Sequence, residues 1–597
     1  MELLQVLFSS ITLFILLLSI YKFTFITPNK KHLPPSPPGA LPIIGHLRLL
    51  FTPLHRTLQA ISANSDRYAH YMLLKLGTRN VLVLSSPAAV QECFQKNDVA
   101  FANRPRSIGG DYNSYDYTNV ALANYGPLWR NLRCIMTTKI FCSSSLLKSS
   151  GVRHDAVRCL LRDLYKSSTN IANGSGQQYQ KIDLNLKFFE LSFNVMMSLS
   201  TGEAIIGDGL CHSTEEYKWF FELLKNAYVP SFFMAPGDYL PIFKYFDVFN
   251  KVERSLAEID KKRDAFLEAI IERFRKEHNV NNIEKKRSNK SLLDVLFSLQ
   301  REDSEQYNDL IIKTMILTMF TAGTDTSAMT LEWAMSLLLN HPEVLKKALH
   351  ELDNNIEPHR FIEDSDLSNL PYIQSIIQET LRLYPLAPFL IPHEAARECK
   401  VGQYEVPSGT IVVANVWAIH RDPKLWPDPH KFVPERFLES SAGENKSGDH
   451  QFNKFIPFGV GRRGCPGGGL ATRVIALTLA SVLRCFEWEK INNGDEAIDM
   501  SEEVQFLLPK AKALKALCKP RPQMLNALCQ RPDVTRDAGG VGILRQLASP
   551  TEPMTKGISF PPSRGGQGLY YPSSRTMENP YENSSVLHPV GISHKDP

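Results

Sequence analysis

The stretch Phe458-Gly-Val-Gly-Arg-Arg-Gly-Cys465-Pro-Gly467 constrains the fold more than any other part of the chain. Its glycines let the backbone turn tightly and approach a flat partner closely, and it carries a single cysteine. An apolar run of helix length, Leu470 to Phe486, follows directly. That order puts the Cys465 sulfur near a helix N-terminus, where exposed N–H groups and the macrodipole favour a thiolate. Three other readings compete. A lone cysteine is most often a small buried residue. Gly459-Val-Gly461-Arg-Arg-Gly464 formally fits the spacing of a dinucleotide-binding turn, with Glu487 farther on. Pro457 in the would-be strand and the lack of a βαβ succession count against it. Zinc calls for a second cysteine or histidine at ligand spacing, which the neighbourhood lacks.

The pattern Phe458-x-x-Gly461-x-Arg463-x-Cys465-x-Gly467 resembles the haem-binding loop of cytochrome P-450 enzymes. The resemblance implies that the Cys465 thiolate is the proximal ligand of the iron of haem b. It also implies that Arg463 pairs with a haem propionate, a role suited to a guanidinium fork. Trp129-Arg-Asn-Leu-Arg133 sets an aromatic and a cation four residues apart on one helix face. Alone, that is a partly buried tryptophan beside a snorkelling arginine. The same spacing in the family's propionate-contacting helix implies that Trp129 and Arg133 bind the propionates. His393 follows the kinked apolar stretch Pro385 to Pro392, where the family has a basic side chain reaching a propionate.

Asp309 to Asn340 reads as one long helix interrupted by Ala322-Gly323-Thr324-Asp325-Thr326-Ser327. An interior glycine costs about 1 kcal/mol relative to alanine, and a nearby threonine can turn its hydroxyl onto the backbone. The motif is either a polar notch between helices or an opening in which Gly323 leaves room for a diatomic ligand. In the second case Asp325 and Thr326 supply an acid and a hydroxyl for water-relayed proton delivery. The segment is similar to the family's oxygen-binding groove, which implies that both residues are catalytic. Glu379-Thr-Leu-Arg382 and Lys431-Phe-x-Pro434-Glu-Arg436-Phe437 resemble the family's brace behind the haem loop, so Glu379, Arg382 and Arg436 are expected to serve folding and haem retention. Phe389 to Ile391 and Phe506 to Leu508 are expected to line the substrate side, walls that suit a flat apolar or aromatic molecule.

The remaining chain gives the setting. A net charge of +5 over 597 residues offers no basic face for nucleic acid, and the ten scattered cysteines suit a reducing compartment. Leu3 to Tyr21 is apolar and of bilayer-spanning length, with Lys22, Lys30 and Lys31 behind it; that basic flank keeps the rest of the chain cytoplasmic. Residues 1–32 are thus expected to form a single membrane anchor, and the prolines of Leu33 to Pro42 a stiff hinge. Residues 33–521 are expected to form the catalytic domain, mainly α with a minor β part, including a hairpin over Tyr71 to Leu84. The Pro-, Gly- and Ser-rich residues 522–597 read as a disordered extension. Phe101 to Tyr125 resembles the family's variable loop over the substrate, and the aromatic stretch Lys225 to Tyr245 suits a substrate entry or a membrane surface.

The resemblance implies a monooxygenase on the endoplasmic reticulum membrane, using O2 and electrons from an NADPH-cytochrome P-450 reductase. Phe320-Thr-Ala-Gly-Thr-Asp-Thr-Ser-Ala, Leu331-Glu-Trp-Ala-Met and Leu339-Asn-His-Pro-Glu-Val-Leu-Lys-Lys resemble plant members that hydroxylate isoflavones and related phenolics. Ser200-Thr-Gly-Glu-Ala-Ile-Ile-Gly departs from that subgroup. Two alternatives stay open: a haem-thiolate isomerase that rearranges hydroperoxides, and a membrane-tethered ligand-binding protein.

Overall fold

In the computed structural model the described residues are 2–25, 32–169, 179–202, 236–240, 247–280, 290–438, 454–491, 496–503 and 505–529. The chain from 530 onward, the segment after Gly202 and most of Lys225 to Tyr245 lie outside them. Helices dominate: α1 (Glu2–Phe25), α2 (Leu54–Ala63), α3 (Pro127–Ile135), α4 (Ser150–Thr169), α5 (Leu184–Thr201), α6 (Asp247–Val280), α7 (Leu292–Glu302), α8 (Asp309–Asn340), α9 (Pro342–Asn355), α10 (Pro371–Leu383) and α11 (Gly468–Cys485). The expected hairpin is present, Tyr71–Leu76 antiparallel to Arg79–Leu84. It extends through Ile411–Ala414, parallel to its second strand, to the short edge His393–Glu394.

The centre of the molecule is α8, which packs against α5, α10 and α11. Asn308 starts it by accepting the Ile311 N–H at 3.1 Å, the side-chain cap such a terminus needs. Apolar residues point from it in all directions, from Ile312 and Met315 to Trp333 and Leu338, so it is a core helix without a solvent stripe. Glu332, 1 % exposed within it, accepts from Asn185 Nδ2 at 2.7 Å and Leu514 N at 2.7 Å, tying α8 to α5 and to the start of a terminal strand.

The brace is assembled and dry. Glu379 and Arg382, both 0 % exposed, pair through Arg382 Nε (2.6 Å) and Nη2 (2.7 Å). Arg382 also donates to the carbonyls of His420 (2.8 Å), Pro429 (2.7 Å) and Lys431 (3.1 Å). Arg436 reaches the same carboxylate at 3.3 Å, and the Val433 N–H donates to it at 3.0 Å. A second tie joins α2 to a distant segment: Glu502 accepts from Arg56 at 2.5 and 2.7 Å and lies 3.2 Å from His55 Nε2. Burial opposes ionisation of Glu502, but the hydrogen bonds from His55 and Arg56 and the charge of Arg56 outweigh it and hold the carboxyl at about 2.

One boundary is corrected. The extension expected from residue 522 begins as folded structure, a single turn over Pro522–Met524 and a short helix Leu525–Cys529. Met524 is 0 % and Leu528 4 % exposed, and Gln523 donates to Asp353 at 3.2 Å. Composition averaged over the tail hides these two apolar residues, four apart on one face.

These ties bear on stability in three measurable ways. Glu379→Gln leaves the Arg382 charge buried without a counter-ion and is expected to lower the unfolding free energy by about 3–5 kcal/mol in denaturant titration. Lys431→Gln, whose ion pair with Asp428 is exposed, serves as the near-neutral control. The contribution of Glu502, whose carboxyl is depressed in the folded state, is complete above the ordinary glutamate range and is lost as pH falls through about 2. Glu502→Gln should therefore flatten acid unfolding between about pH 5 and pH 2. A chain ending at Arg521 is expected to melt below one ending at Cys529, because it exposes the apolar pocket filled by Met524 and Leu528.

Candidate active site

The cysteine loop is closed by its own backbone. Gly459 N donates to Ile456 O (3.1 Å), Gly464 N to Gly461 O (3.0 Å) and Cys465 N to Phe458 O (2.9 Å). Gly461 has φ +70°, and a Cβ there would lie 1.9 Å from Phe94 O, so no larger residue fits. The loop delivers Cys465 just ahead of α11, as the sequence implies. Protein surrounds the residue closely enough that burial pushes its thiol up, against the N–H of Gly467, the charge of Arg133 and the N–H of Gly468, which pull it down. Its side chain nevertheless keeps open surface, so the sulfur sits in a recess and not in a packed core. The helix terminus alone does not make it a thiolate; a metal ion would, since a coordinated thiol loses its proton.

Around this loop lies a set of buried and half-buried cations. Arg463 donates to Ala102 O (2.8 Å), Val120 O (3.5 Å) and Ala123 O, and lies over the Trp129 ring at 4.4 Å. Trp129 is buried and donates its indole N–H to Val120 O at 3.1 Å. His393 stacks on Phe94 at 3.9 Å and donates from Nδ1 to Phe101 O at 2.6 Å. Burial, Arg104 and Arg463 hold its pKa well below the usual histidine range, which leaves the ring neutral. Arg104, 3 % exposed, donates to Ala121 O (3.1 Å) and Pro392 O (2.7 Å). Burial and the charge of Arg133 lower Arg463 to about 9, and burial with the charge of Arg463 lowers Arg104.

Among the described residues no carboxylate pairs with Arg104, Arg133 or Arg463. One buried and two half-buried cations in mutual repulsion fit a group that brings anionic charge, and a soft sulfur in a recess fits iron; both match haem with its two propionates. Arg104 is the member that motif reading missed. The signal available was a cation two residues after the apolar run Ala100-Phe-Ala102, which is buried.

On α8, Ala322 is exposed and Thr326 half-buried one turn later on the same side, while Thr324, Ser327 and Ala328 are buried. Thr326 Oγ1 donates to Ala322 O at 2.7 Å, the back-bond expected from the sequence. Asp325 is half-buried beside it. The reading of Gly323 is corrected: a Cβ there would lie 2.1 Å from Met196 Sδ, so the missing side chain admits Met196 of α5 and not a diatomic ligand. The open position is Ala322. Leu507 and Leu508, expected along a substrate wall, are buried, and the Leu508 carbonyl accepts the Trp333 indole N–H at 2.9 Å. The structure thus gathers Cys465, Arg463, Trp129, Arg133 and His393 around one loop and sets Asp325 and Thr326 on the core helix that packs against α11.

A model of the cytochrome P450 family matches residues 34–515. Cytochrome P450 81Q32 of Catharanthus roseus is 44 % identical over 512 residues, covering 85 % of this chain and 95 % of that protein. An isoflavone 2'-hydroxylase of Glycyrrhiza echinata is 41 % identical, covering 87 % and 98 %. A (+)-piperitol/(+)-sesamin synthase of Sesamum radiatum is 39 % identical, covering 89 % and 99 %. A zebra fish cytochrome P450 structure with progesterone superposes with a TM-score of 0.63 at 26 % identity, over 79 % of this chain and all of that one. The chain therefore belongs to the cytochrome P450 family and is a haem-thiolate monooxygenase with that fold.

Proposed function

We propose that the protein inserts one oxygen atom into an isoflavone- or flavonoid-like phenolic of plant specialised metabolism. The observation that carries this reading is the set of isoflavone 2'- and 3'-hydroxylases, 40–42 % identical, that align along at least 82 % of the chain. The sesamin synthase relative supports ring closure as a second outcome of the same oxygen chemistry.

In this reading Cys465 holds the iron, and haem so bound supplies reductive activation of O2 and transfer of one atom to carbon. Arg104, Arg133 and Arg463 neutralise the propionates, with Trp129 holding the Arg463 fork flat and His393, its one N–H committed to Phe101 O, lining the site as a neutral ring. The Thr326 hydroxyl, anchored on Ala322 O, keeps its oxygen lone pairs available to accept a hydrogen bond from a water molecule and so hold it in place, and the Asp325 carboxyl supplies the proton which that water passes on. Electrons come from an NADPH-cytochrome P-450 reductase.

The protein is held on the endoplasmic reticulum by α1, with the catalytic domain in the cytoplasm. Its 24 residues make a helix of about 36 Å, enough to cross a hydrocarbon core, and Leu7, Phe8, Leu13 and Phe14 on it are exposed. The apolar stretch of α1 among the described side chains is Leu7–Leu18; Gly468–Cys485 is long and apolar enough by length and composition, but 72 % of it is buried, as befits a core helix.

The test is turnover of the purified holoenzyme with reductase on a panel of isoflavones, lignans and indoles. Isoflavone hydroxylation with NADPH consumption supports the reading; turnover of an indole alone, or without NADPH, refutes it. Thr326→Ala is expected to keep the thiolate-type band of the ferrous carbon monoxide complex while product per NADPH falls roughly tenfold or more and hydrogen peroxide is released. An unchanged yield removes Thr326 from proton delivery.

A further inference from the structure

His420 lies outside every motif named above, in the short helix end Val416-Trp-Ala-Ile-His420, and is 0 % exposed. Two of its groups face two different parts of the site. Its carbonyl accepts from Arg382 Nη1 at 2.8 Å, which joins it to the brace. Its ring Nε2 accepts the backbone N–H of Ile456 at 3.0 Å. A backbone N–H can only donate, so Nε2 carries no proton and the neutral ring holds its hydrogen on Nδ1. Among the described residues Nδ1 closes no hydrogen bond of normal length, although the ring also feels the backbone of Arg382 and Leu381, so its full hydrogen bond is the one at Ile456. Burial, with Arg382 and Arg421 nearby, lowers the ring to about 3 and keeps it in this acceptor form. Phe455 at 5.4 Å and Trp426 at 6.5 Å box the ring in.

Ile456 opens the cysteine loop. It is followed by Pro457, which has no N–H, and its own carbonyl accepts from Gly459 N at 3.1 Å. Cys465 N then closes on Phe458 O at 2.9 Å. A continuous path runs from the Glu379–Arg382 pair through the His420 carbonyl and ring to Ile456, and through the loop's backbone bonds to Cys465. Beyond Glu379, Arg382 reaches carbonyls in 420–431; among the described residues the side-chain acceptor joining that assembly to the start of the loop is His420.

We propose that His420 is a positioning residue for the cysteine ligand: by fixing the Ile456 N–H it carries the rigidity of the brace into the loop and holds Cys465 in thiolate ligation. This rests on the reading that Cys465 ligates haem iron. Phenylalanine at 420 keeps the ring and removes the acceptor, whereas glutamine places an amide oxygen near the Nε2 position.

The experiment tracks the thiolate-type band of the ferrous carbon monoxide complex over time in holoenzyme of matched haem content, for wild type, His420→Phe and His420→Gln. His420→Phe is expected to lose the band roughly tenfold faster than wild type, the effect of leaving one buried N–H unpaired, and His420→Gln to stay near wild type. A role limited to filling space predicts the opposite order. His420→Phe persisting like wild type, or His420→Gln decaying like His420→Phe, overturns the proposal. Should His420→Phe fail to retain haem, His420→Asn, whose shorter amide falls short of Ile456, is compared with His420→Gln, and equal persistence of these two overturns it. A wild-type spectrum without the thiolate-type band refutes the ligation reading beneath it.

Discussion

The interaction on which the site depends is the buried pair between Glu379 and Arg382. Neither side chain has exposed surface, so both have given up their hydration. Such a pair is tolerable only when nearly every donor and lone pair is used, because a buried charge with one bond missing costs more than the bond was worth. Here the guanidinium serves the carboxylate twice and three carbonyls besides, while the carboxylate also takes Arg436 and the Val433 N–H. The consequence is geometric. Four points of one segment, at His420, Pro429, Lys431 and Val433, are pinned to the end of one helix.

The cations near Cys465 obey a different logic. Arg104 is buried almost as Arg382 is and Arg463 is half-buried, but their donors go to neutral carbonyls and no carboxylate among the described residues answers their charge. One buried cation is thus neutralised within the chain, and others are solvated by peptide dipoles and aimed where an anionic group belongs. The first kind of site gives rigidity. The second gives affinity for a charged partner, because a propionate is stabilised by preset donors without reorganisation.

What the sequence made legible was chemistry written in residue types at fixed spacing: the cysteine loop, the Glu–Arg helix motif with its distant arginine, the hairpin and the long central helix. Arg104 and His420 stayed hidden because each acts on backbone groups, which every residue has, so no second letter in the sequence marks the partner. Gly323 was legible as missing volume, but only the packed structure tells which neighbour takes it, and Met196 does. The fold boundary at 521 was misplaced because disorder is read as an average, while docking of a short segment needs only Met524 and Leu528 on one face.

The loop and the cations together explain why one cofactor satisfies the whole arrangement. Burial raises the Cys465 thiol, an unfavourable place for an anion, and the same burial disfavours charge on Arg104 and Arg463. A sulfur reluctant to ionise and cations reluctant to stay charged are opposite defects, which an internal ion pair would cancel only if they touched. Haem held as proposed, by the sulfur and the arginines, would resolve both at separate places, so its binding energy would also be folding energy for this half of the domain. The long core helix then carries the remaining polar groups, Asp325 and Thr326, at the point where its burial lapses around Ala322. A proton route through a dry core can open only where the helix stops being packed on every side.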